Sequence, residues 1–495
     1  MQNFEPRKWQ RKAVGDIRAI ARDGSDRALV YACPGSGKTY GGLLIARALI
    51  DEVGKGPKII VVTPNLAIKS QWIDRAAKIG IRLKAIKSGS GLEDELGFEE
   101  TGFILTYQQV ISLRHSLRLF CETQKPIVIL DEIHHTEGRR AEKDGNVWGH
   151  MVEFAFASAS FKLCTTGTPF REGNNPISFV RYHDDQTVVC NVSYPYSQAL
   201  IDRICRPIEF GLIDGDISWM DKGHPVTASF EVDIKSKEKR ARRLAAALST
   251  DGEQPRNLLI EANRKLVEIR SGSSPADRRA AGLVVAIDKA HARDIAVVLE
   301  EVSGAAPLVV HSEIDKVQWL INNFRDGDAP WIVGVQMLSE GVDIPRLRVG
   351  AYLSDIRKAL FFHQFCGRFS RKIVPESEER SFVYLPADPE LTALATTINI
   401  ERAHALGEDV EAPIPRIGAG GGRASRNLTV LGSDGKIKFY VIGQDRFPVS
   451  FVDHHRPAAA SFRKKDETRT NMSDLQVIRI MLDLGVIQPP AEAAE

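Results

Sequence analysis

Two short segments of this 495-residue chain hold residue types whose spacing suits phosphate chemistry. The first runs Leu29-Val30-Tyr31-Ala32-Cys33-Pro34-Gly35-Ser36-Gly37-Lys38-Thr39. An apolar run turns through a Gly-rich loop into Lys-Thr, and a helical pattern (Leu43, Leu44, Ala46, Leu49) follows. Backbone N–H groups at such a helix start cradle anionic oxygens, and the helix dipole favours the charge. Pro34, Gly35, Ser36 and Gly37 form the cradle, Lys38 reaches toward the β- and γ-phosphates of a nucleotide, and the Thr39 hydroxyl suits Mg2+. Ala32 stands where the usual pattern begins with Gly. The second segment, Ile127-Val-Ile-Leu-Asp131-Glu132-Ile-His134, is a buried-strand pattern ending in adjacent carboxylates. Asp131 opposite the phosphate loop would help hold Mg2+, and Glu132 would orient or deprotonate an attacking water. A nucleotide and Mg2+ are therefore expected at this site.

These groups need a scaffold that brings strand ends together. Strand patterns at Ala28–Ala32, Lys58–Thr63, Gly102–Thr106, Ile127–Leu130 and Phe161–Thr165 alternate with helical ones. Short β-branched runs separated by helices predict a parallel sheet in an α/β domain. A second set follows at Gly282–Ile287, Pro307–His311, Trp331–Val335, Arg348–Leu353 and Ser381–Leu385. Between the sets lie a strand pattern at Pro207–Ile213 and a charged helical stretch at Ser236–Ile269. Beyond residue 400, Pro413-Ile-Pro415 and Gly418–Gly422 read as a linker. Leu428–Leu431 and Lys436–Ile442, flanking Ser433-Asp434-Gly435, predict a β-hairpin. Ser473–Leu484 predicts a short amphipathic helix.

Composition narrows the class. Hydrophobic content of 43% and charged content of 26% fit a globular protein. No apolar run approaches the roughly 20 residues needed to cross a bilayer. The start, Met1-Gln-Asn-Phe4-Glu-Pro-Arg7-Lys, lacks a signal peptide's apolar region, so a cytoplasmic location and no membrane partner are expected. The six cysteines (Cys33, Cys121, Cys164, Cys190, Cys205, Cys366) form no Cys-x-x-Cys pair and read as reduced thiols. Net charge is only +2, so any polyanion must be met by a local stripe. The candidates are Lys235-Ser-Lys237-Glu-Lys239-Arg240-Ala-Arg242-Arg243 and Arg463-Lys464-Lys465, each of which also reads as a solvated face.

The phosphate loop and Asp131-Glu132-Ile133-His134 resemble motifs I and II of superfamily 2 helicases of the Asp-Glu-x-His group, which also place Ala at the position of Ala32. The resemblance spans most of the first 400 residues. It implies an α/β fold of two tandem RecA-like parallel-sheet domains with a small C-terminal accessory region. The expected boundaries are 1–205 for the ATP-binding domain, 206–400 for the second, with a charged helical insertion about 234–274, and 401–495 for the accessory region. Phe4-Glu-Pro-Arg7-Lys-Trp9-Gln10 looks like the adenine-reading element, with the Gln10 amide pairing an adenine edge. Thr63-Pro64-Asn65 through Ser70-Gln71-Trp72 resembles motif Ia and Thr106-Tyr107-Gln108 motif Ib, which implies contacts to a nucleic-acid backbone. Thr166-Gly167-Thr168-Pro169 is similar to motif III. Val310-His311-Ser312 resembles a backbone-contacting strand end. Ser339-Glu-Gly341-Val-Asp343-Ile-Pro345 looks like motif V, with Gly341 allowing close approach and Asp343 bonding a ribose or an opposing Arg. Val335 stands where many relatives carry a phosphate-contacting Thr. Gln364-Phe-Cys-Gly-Arg368-Phe-Ser-Arg371 resembles motif VI. Its spacing predicts Arg368 and Arg371 on neighbouring helical positions, and the resemblance implies arginine fingers facing a γ-phosphate bound by the other α/β unit.

The implied activity is an ATP-dependent helicase or translocase acting on nucleic acid. The Arg7–Gln10, Ser70–Trp72 and Ser339–Pro345 elements look closest to DNA-acting members, such as excision-repair-type helicases and restriction motor subunits. RNA is the alternative substrate. A nuclease would be a separate chain, since the tail holds no convincing nuclease cluster, and a repair or replication partner is an equal candidate. A P-loop switch without a strand to move and a non-catalytic clamp are the competing classes. The arginine pair argues against the first, and the full set of Lys38, Asp131, Glu132, Arg368 and Arg371 against the second.

Overall fold

The structure is a computed structural model. It describes residues 4–53, 58–86, 100–136, 148–168, 176–185, 187–335, 343–373, 379–406, 430–433, 439–442, 445–464, 477–478, 481–482 and 486–488. The chain divides into two compact units, Met1–Ala199 and Leu200–Glu495. No helix among the described residues is long and apolar enough to cross a membrane.

The first unit holds a sheet of β1 (Arg27–Ala32), β2 (Ile59–Thr63), β3 (Leu83–Ala85), β4 (Gly102–Thr106), β5 (Ile127–Asp131), β6 (Phe161–Thr166) and β7 (Val192–Tyr194). Its order is β3-β4-β2-β5-β6-β1-β7 and every pairing is parallel. The helices are α1 (Lys8–Arg22), α2 (Lys38–Val53), α3 (Leu66–Lys78), α4 (Tyr107–Gln124), α5 (Trp148–Phe156) and α6 (Tyr196–Ile201). Every residue of β2, β4, β5 and β6 is buried, as expected for parallel strands covered on both faces. Thr165 on β6 is level with Val30 of β1 on one side and with Asp131 of β5 on the other. That register sets the phosphate loop and the carboxylate pair at the same sheet edge, the carboxyl ends of parallel strands, where α/β sheets bind ligands.

In the second unit β8 (Ile208–Ile213), β11 (Ala281–Ala286), β12 (Leu308–Val310), β13 (Trp331–Gly334), β14 (Leu347–Leu353) and β15 (Ser381–Pro386) form a parallel core in the order β12-β13-β11-β14-β15-β8. β17 (Phe439–Ile442) and β18 (Asp445–Pro448) extend it antiparallel at the β8 edge. A small antiparallel sheet joins β9 (Ile217–Asp221), β10 (His224–Ala228) and β16 (Val430–Ser433). The helices are α7 (Lys237–Leu248), α8 (Glu253–Arg270), α9 (Pro275–Arg278), α10 (Lys289–Ser303), α11 (Val317–Asp326), α12 (Ala359–Cys366), α13 (Pro389–Leu406) and α14 (Val449–Lys464).

Two sequence expectations change here. The hairpin predicted across 428–442 does not form: β16 pairs with β9 and β17 with β8, in different sheets. Each segment satisfies its backbone groups on an edge already present instead of on its neighbour. The β9–β10 hairpin was not foreseen. Its turn places both Lys222 (φ 51°) and Gly223 (φ 85°) at positive φ, which suits the right-handed twist of a tight hairpin. Of the helix predicted at Ser473–Leu484, only Val477, Ile478, Met481 and Leu482 are among the described residues. The 413–422 linker lies outside them.

The charged stretch 236–269 forms α7 and α8, and α8 is a core helix. Leu258, Leu259, Ala262 and Leu266 are buried, and the Lys265 ammonium lies 4.2 Å from the Phe382 ring centroid. The Trp331 indole donates to Asn263 Oδ1 of this helix at 3.0 Å. Trp331 itself is directly across from Gly282 and fully buried. A Cβ on Gly282 would lie 2.1 Å from the Trp331 ring. Gly282→Ala is therefore expected to lower the stability of the second unit by about 1–3 kcal/mol, the usual cost of overpacking a core. Urea unfolding followed by tryptophan emission measures it.

Candidate nucleotide site and strand-end residues

The phosphate loop is shaped by its glycines and braced by α1. Gly35 (φ 85°) and Gly37 (φ 88°) adopt the left-handed conformation that side chains resist, which turns backbone N–H groups into an anion-binding concavity. Three donors at the start of α1 take successive loop carbonyls. Arg7 Nη1 donates to Gly35 O at 3.2 Å, the Trp9 indole to Ser36 O at 3.0 Å, and Gln10 Nε2 to Gly37 O at 2.9 Å. Ser36 Oγ donates to Cys33 O at 2.6 Å. Gln10 Oε1 also accepts from the Arg7 N–H at 2.8 Å. Both ends of the Gln10 amide are thus engaged within the protein. One N–H and one lone pair of the amide are not used in these two bonds and could serve an adenine edge.

Lys38 opens α2 and points at the carboxylates. It is ion-paired with Glu132, and its Nζ lies 3.4 Å from Asp131 Oδ1. Burial alone would lower the Lys38 pKa, but Glu132 and Asp131 outweigh it and hold the ammonium above its usual value. Glu132, at φ 49°, accepts the Gly167 N–H at 3.0 Å and lies 3.5 Å from His134 Nδ1. Burial would raise its pKa; Lys38 and then His134 reverse that, leaving the carboxyl below its usual range. Asp131 is almost fully buried yet bonded on every side. Thr165 Oγ1 donates to Oδ1 at 2.8 Å, the Trp72 indole to Oδ2 at 2.9 Å, and the Tyr107 hydroxyl to its carbonyl at 2.9 Å. Thr39 Oγ1 accepts from Arg75 Nη1 at 2.9 Å. A hydroxyl and a carboxylate are hard oxygen donors of the kind that hold Mg2+ together with substrate phosphates, so Thr39 and Asp131 fit that ion.

The sequence reading placed Trp72 in a nucleic-acid motif and passed over Arg75. Their separation of three residues, which sets them on one helix face, was the available signal.

The residues expected at a nucleic-acid backbone are built into strand–helix junctions. Thr63 is buried and its Oγ1 donates to Asn65 O at 3.3 Å. Asn65 Oδ1 accepts the Ile68 N–H at 3.0 Å and caps α3, while Thr106 caps α4 in a capping box with Gln109. Pro64 and Gln71 are half-buried. His311 is buried, and its Nδ1 has no hydrogen-bond partner among the described residues. Ser339 and Gly341 lie outside the described residues, as does Pro169. At least half of the basic stripe at 235–243 is engaged within its own unit. Arg242 and Lys239 both pair with Asp221, and Arg243 is buried against Ser229 O and Val232 O. Arg463 and Lys464 end α14, and Lys465 lies outside the described residues.

The motif VI arginines do not share a helix. α12 stops at Cys366, and the Gly367 N–H closes it on His363 O at 2.8 Å. Arg368 lies in the following turn, and Arg371 forms an isolated antiparallel bridge with Cys205. The reason is local. Phe365 and Phe369 pack edge-to-face at 5.0 Å, and Phe369 seats on Gly350, so the chain is pulled onto the sheet. Arg371 is ion-paired with Asp343, while Gln364 and Arg368 are half-buried. The buried Arg206, which the sequence reading missed, donates to Pro345 O at 2.7 Å and Leu347 O at 3.2 Å, anchoring the chain just after Asp343.

Two parallel α/β units, one with a glycine-shaped phosphate loop facing paired carboxylates, define the tandem RecA-like class. Residues 3–171 match the family described as type III restriction enzyme, res subunit. An uncharacterized protein of Mycobacterium tuberculosis, Rv2917, is 33% identical over 522 residues, covering 99% of this chain and 83% of that one. UvrABC system protein B of Chlamydia trachomatis is 34% identical over 98 residues, 18% of this chain and 14% of that protein. Two solved structures share the fold. A type I restriction HsdR fragment from Vibrio vulnificus has a TM-score of 0.55 at 18% identity, covering 79% of this chain and 65% of that one. The DNA-bound type ISP restriction-modification enzyme LlaBIII has a TM-score of 0.52 at 16% identity, covering 81% and 30%. Over its whole length the chain belongs to one family with Rv2917, and its residues 3–171 form a domain that matches the type III restriction res subunit model.

The Lys38–Glu132 pair has a pH signature. Because Glu132 is shifted below its usual 4.5, it contributes stability above that pH, and the contribution fades as pH falls through its folded value. Lys38→Met removes the partner. The stability gap between wild type and Lys38→Met is expected to be widest near pH 7 and to narrow below about pH 4.5. Chemical denaturation across pH 2–7 reads it.

Proposed function

We propose that the protein is an ATP-dependent motor acting on nucleic acid, DNA in preference to RNA. The observation that carries this reading is the Lys38 ammonium set against Asp131 and Glu132 at the mouth of a glycine-shaped loop. In this assignment the backbone of residues 34–39 and Lys38 hold the nucleotide phosphates. Thr39 and Asp131 hold Mg2+, which when bound neutralises charge on the transferring phosphoryl group. Glu132, kept ionised by Lys38, orients the attacking water and accepts its proton. Arg368 and Arg371 stabilise the charge that develops in the transition state; Arg371 must first leave Asp343.

The ATP-binding domain is assigned to 1–205, the second RecA-like domain to 206–400 and the accessory region to 401–495. The preference for DNA rests on the Arg7–Gln10, Ser70–Trp72 and Ser339–Pro345 elements, which resemble those of DNA-acting members. Nucleotide binding and hydrolysis move the strand only if the nucleotide has different contacts in the two states. A separate nuclease, or a repair or replication partner, would turn that movement into a biological outcome.

Phosphate release measured with single-stranded DNA, duplex DNA, forked DNA and RNA tests the reading. Stimulation by DNA above RNA supports it, and turnover indifferent to any nucleic acid would leave a switch-type NTPase. Lys38→Ala is expected to abolish phosphate release. Arg371→Ala is expected to bind ATP within a few-fold of wild type while hydrolysis falls about 10³-fold or more, the scale of an arginine finger. Loss of binding with normal turnover at saturating ATP would contradict the finger role.

A further inference from the structure

We propose that Arg75 is a protein-borne cation that competes with Mg2+ at the Thr39 hydroxyl, and so sets how much Mg2+ the nucleotide site needs. The inference rests on the assignment of Thr39 and Asp131 as Mg2+ ligands. It concerns a residue that no phosphate-loop or carboxylate motif includes.

Helix α3 reaches both side chains assigned to the ion. From one face it sends the Trp72 indole to Asp131 Oδ2 at 2.9 Å and, three residues on, the Arg75 guanidinium to Thr39 Oγ1 at 2.9 Å. The two contacts differ in kind. The indole N–H is neutral; it fixes the carboxylate and leaves its charge available. The guanidinium carries a full positive charge and donates into the oxygen that a metal would also use. Thr39 is 7% exposed, and its surroundings screen charge poorly. A hydroxyl oxygen has two acceptor lone pairs, so geometry alone does not exclude a shared oxygen. Electrostatics opposes it, because a divalent cation and a guanidinium on one small oxygen repel strongly at low screening.

The carboxylates repeat the pattern. Lys38 pairs with Glu132 and approaches Asp131 at 3.4 Å. The protein's own cations thus stand at both halves of the assigned metal site, and each has a different reason to leave. Nucleotide phosphates attract Lys38. Arg75 is half-buried on a different helix and yields only when the ion outcompetes it or α3 shifts.

The test is equilibrium binding of a fluorescent ATP analogue, without nucleic acid, as Mg2+ is titrated. Arg75→Gln removes the charge and keeps a donor, and Arg75→Lys keeps the charge. The Mg2+ midpoint is expected to fall about 5- to 10-fold in Arg75→Gln, the low end of coupling between sites, and to fall by less in Arg75→Lys, which keeps the charge but not the guanidinium fork. Melting curves at zero Mg2+ confirm that each variant is folded, and a Mg2+-induced rise in melting temperature with the analogue present gives a second readout of the same midpoint. An unchanged or higher midpoint in folded Arg75→Gln overturns the competition. If wild type binds no nucleotide at any Mg2+ concentration, the ATP-site assignment itself fails and this proposal falls with it. Normal nucleotide binding with an unmoved midpoint defeats only the role given to Arg75.

Discussion

The structure turns on one buried carboxylate. Asp131 ends a central strand with 3% of its surface exposed, a position where an unpaired charge would be costly. It is tolerated because three groups from three elements converge on the carboxylate, Thr165 from β6, Trp72 from α3 and Lys38 from α2, while Tyr107 from α4 holds the backbone carbonyl of the same residue. Those partners fix the sheet order locally. β6 has to lie between β5 and β1 for Thr165 to reach one carboxylate while the loop after β1 stays level with it. Removing any one donor leaves the others to carry the desolvated charge, so the site is a network and its parts are not additive.

Much of this was written in local pattern. Strands β2, β4 and β5 are apolar up to their last residue because both faces are covered, and such runs stand out between helical segments. The phosphate loop was legible for a related reason, since glycine at positive φ and Lys-Thr at a helix start serve one local geometry. The carboxylate pair was legible because it terminates such a run.

What was hidden depends on contacts distant in sequence. The spacing of Arg75 from Trp72 gives a shared helix face, but it does not name Thr39, 36 positions away, as the partner. Gln10 carries an amide suited to a base edge, yet the loop carbonyl of Gly37 takes one of its N–H groups. Arg368 and Arg371 have helical spacing, but the packing of Phe369 onto Gly350 and the bridge from Arg371 to Cys205 prevail over the local preference. Arg206 resembles any other basic residue until the carbonyls of Pro345 and Leu347 and the carboxylate of Glu379 meet it in the interior. The α7 stripe looks like a polyanion surface in sequence, and Asp221, from a hairpin the periodicity did not reveal, pairs with two of its cations.

The strands after residue 429 bear on how this chain can be divided. β17 lies along the outer side of β8, through Tyr440 opposite Ile213 and Val441 opposite Leu212, and β16 completes the small sheet beside β9. A version shortened to the two parallel cores would bare the β8 backbone along an apolar ribbon and leave β9–β10 as a lone hairpin. Exposed apolar ribbons recruit strands from other molecules. The last sixth of the polypeptide therefore acts as a selvedge, binding off the raw edge of a sheet at a strand, β8, laid down more than two hundred residues earlier.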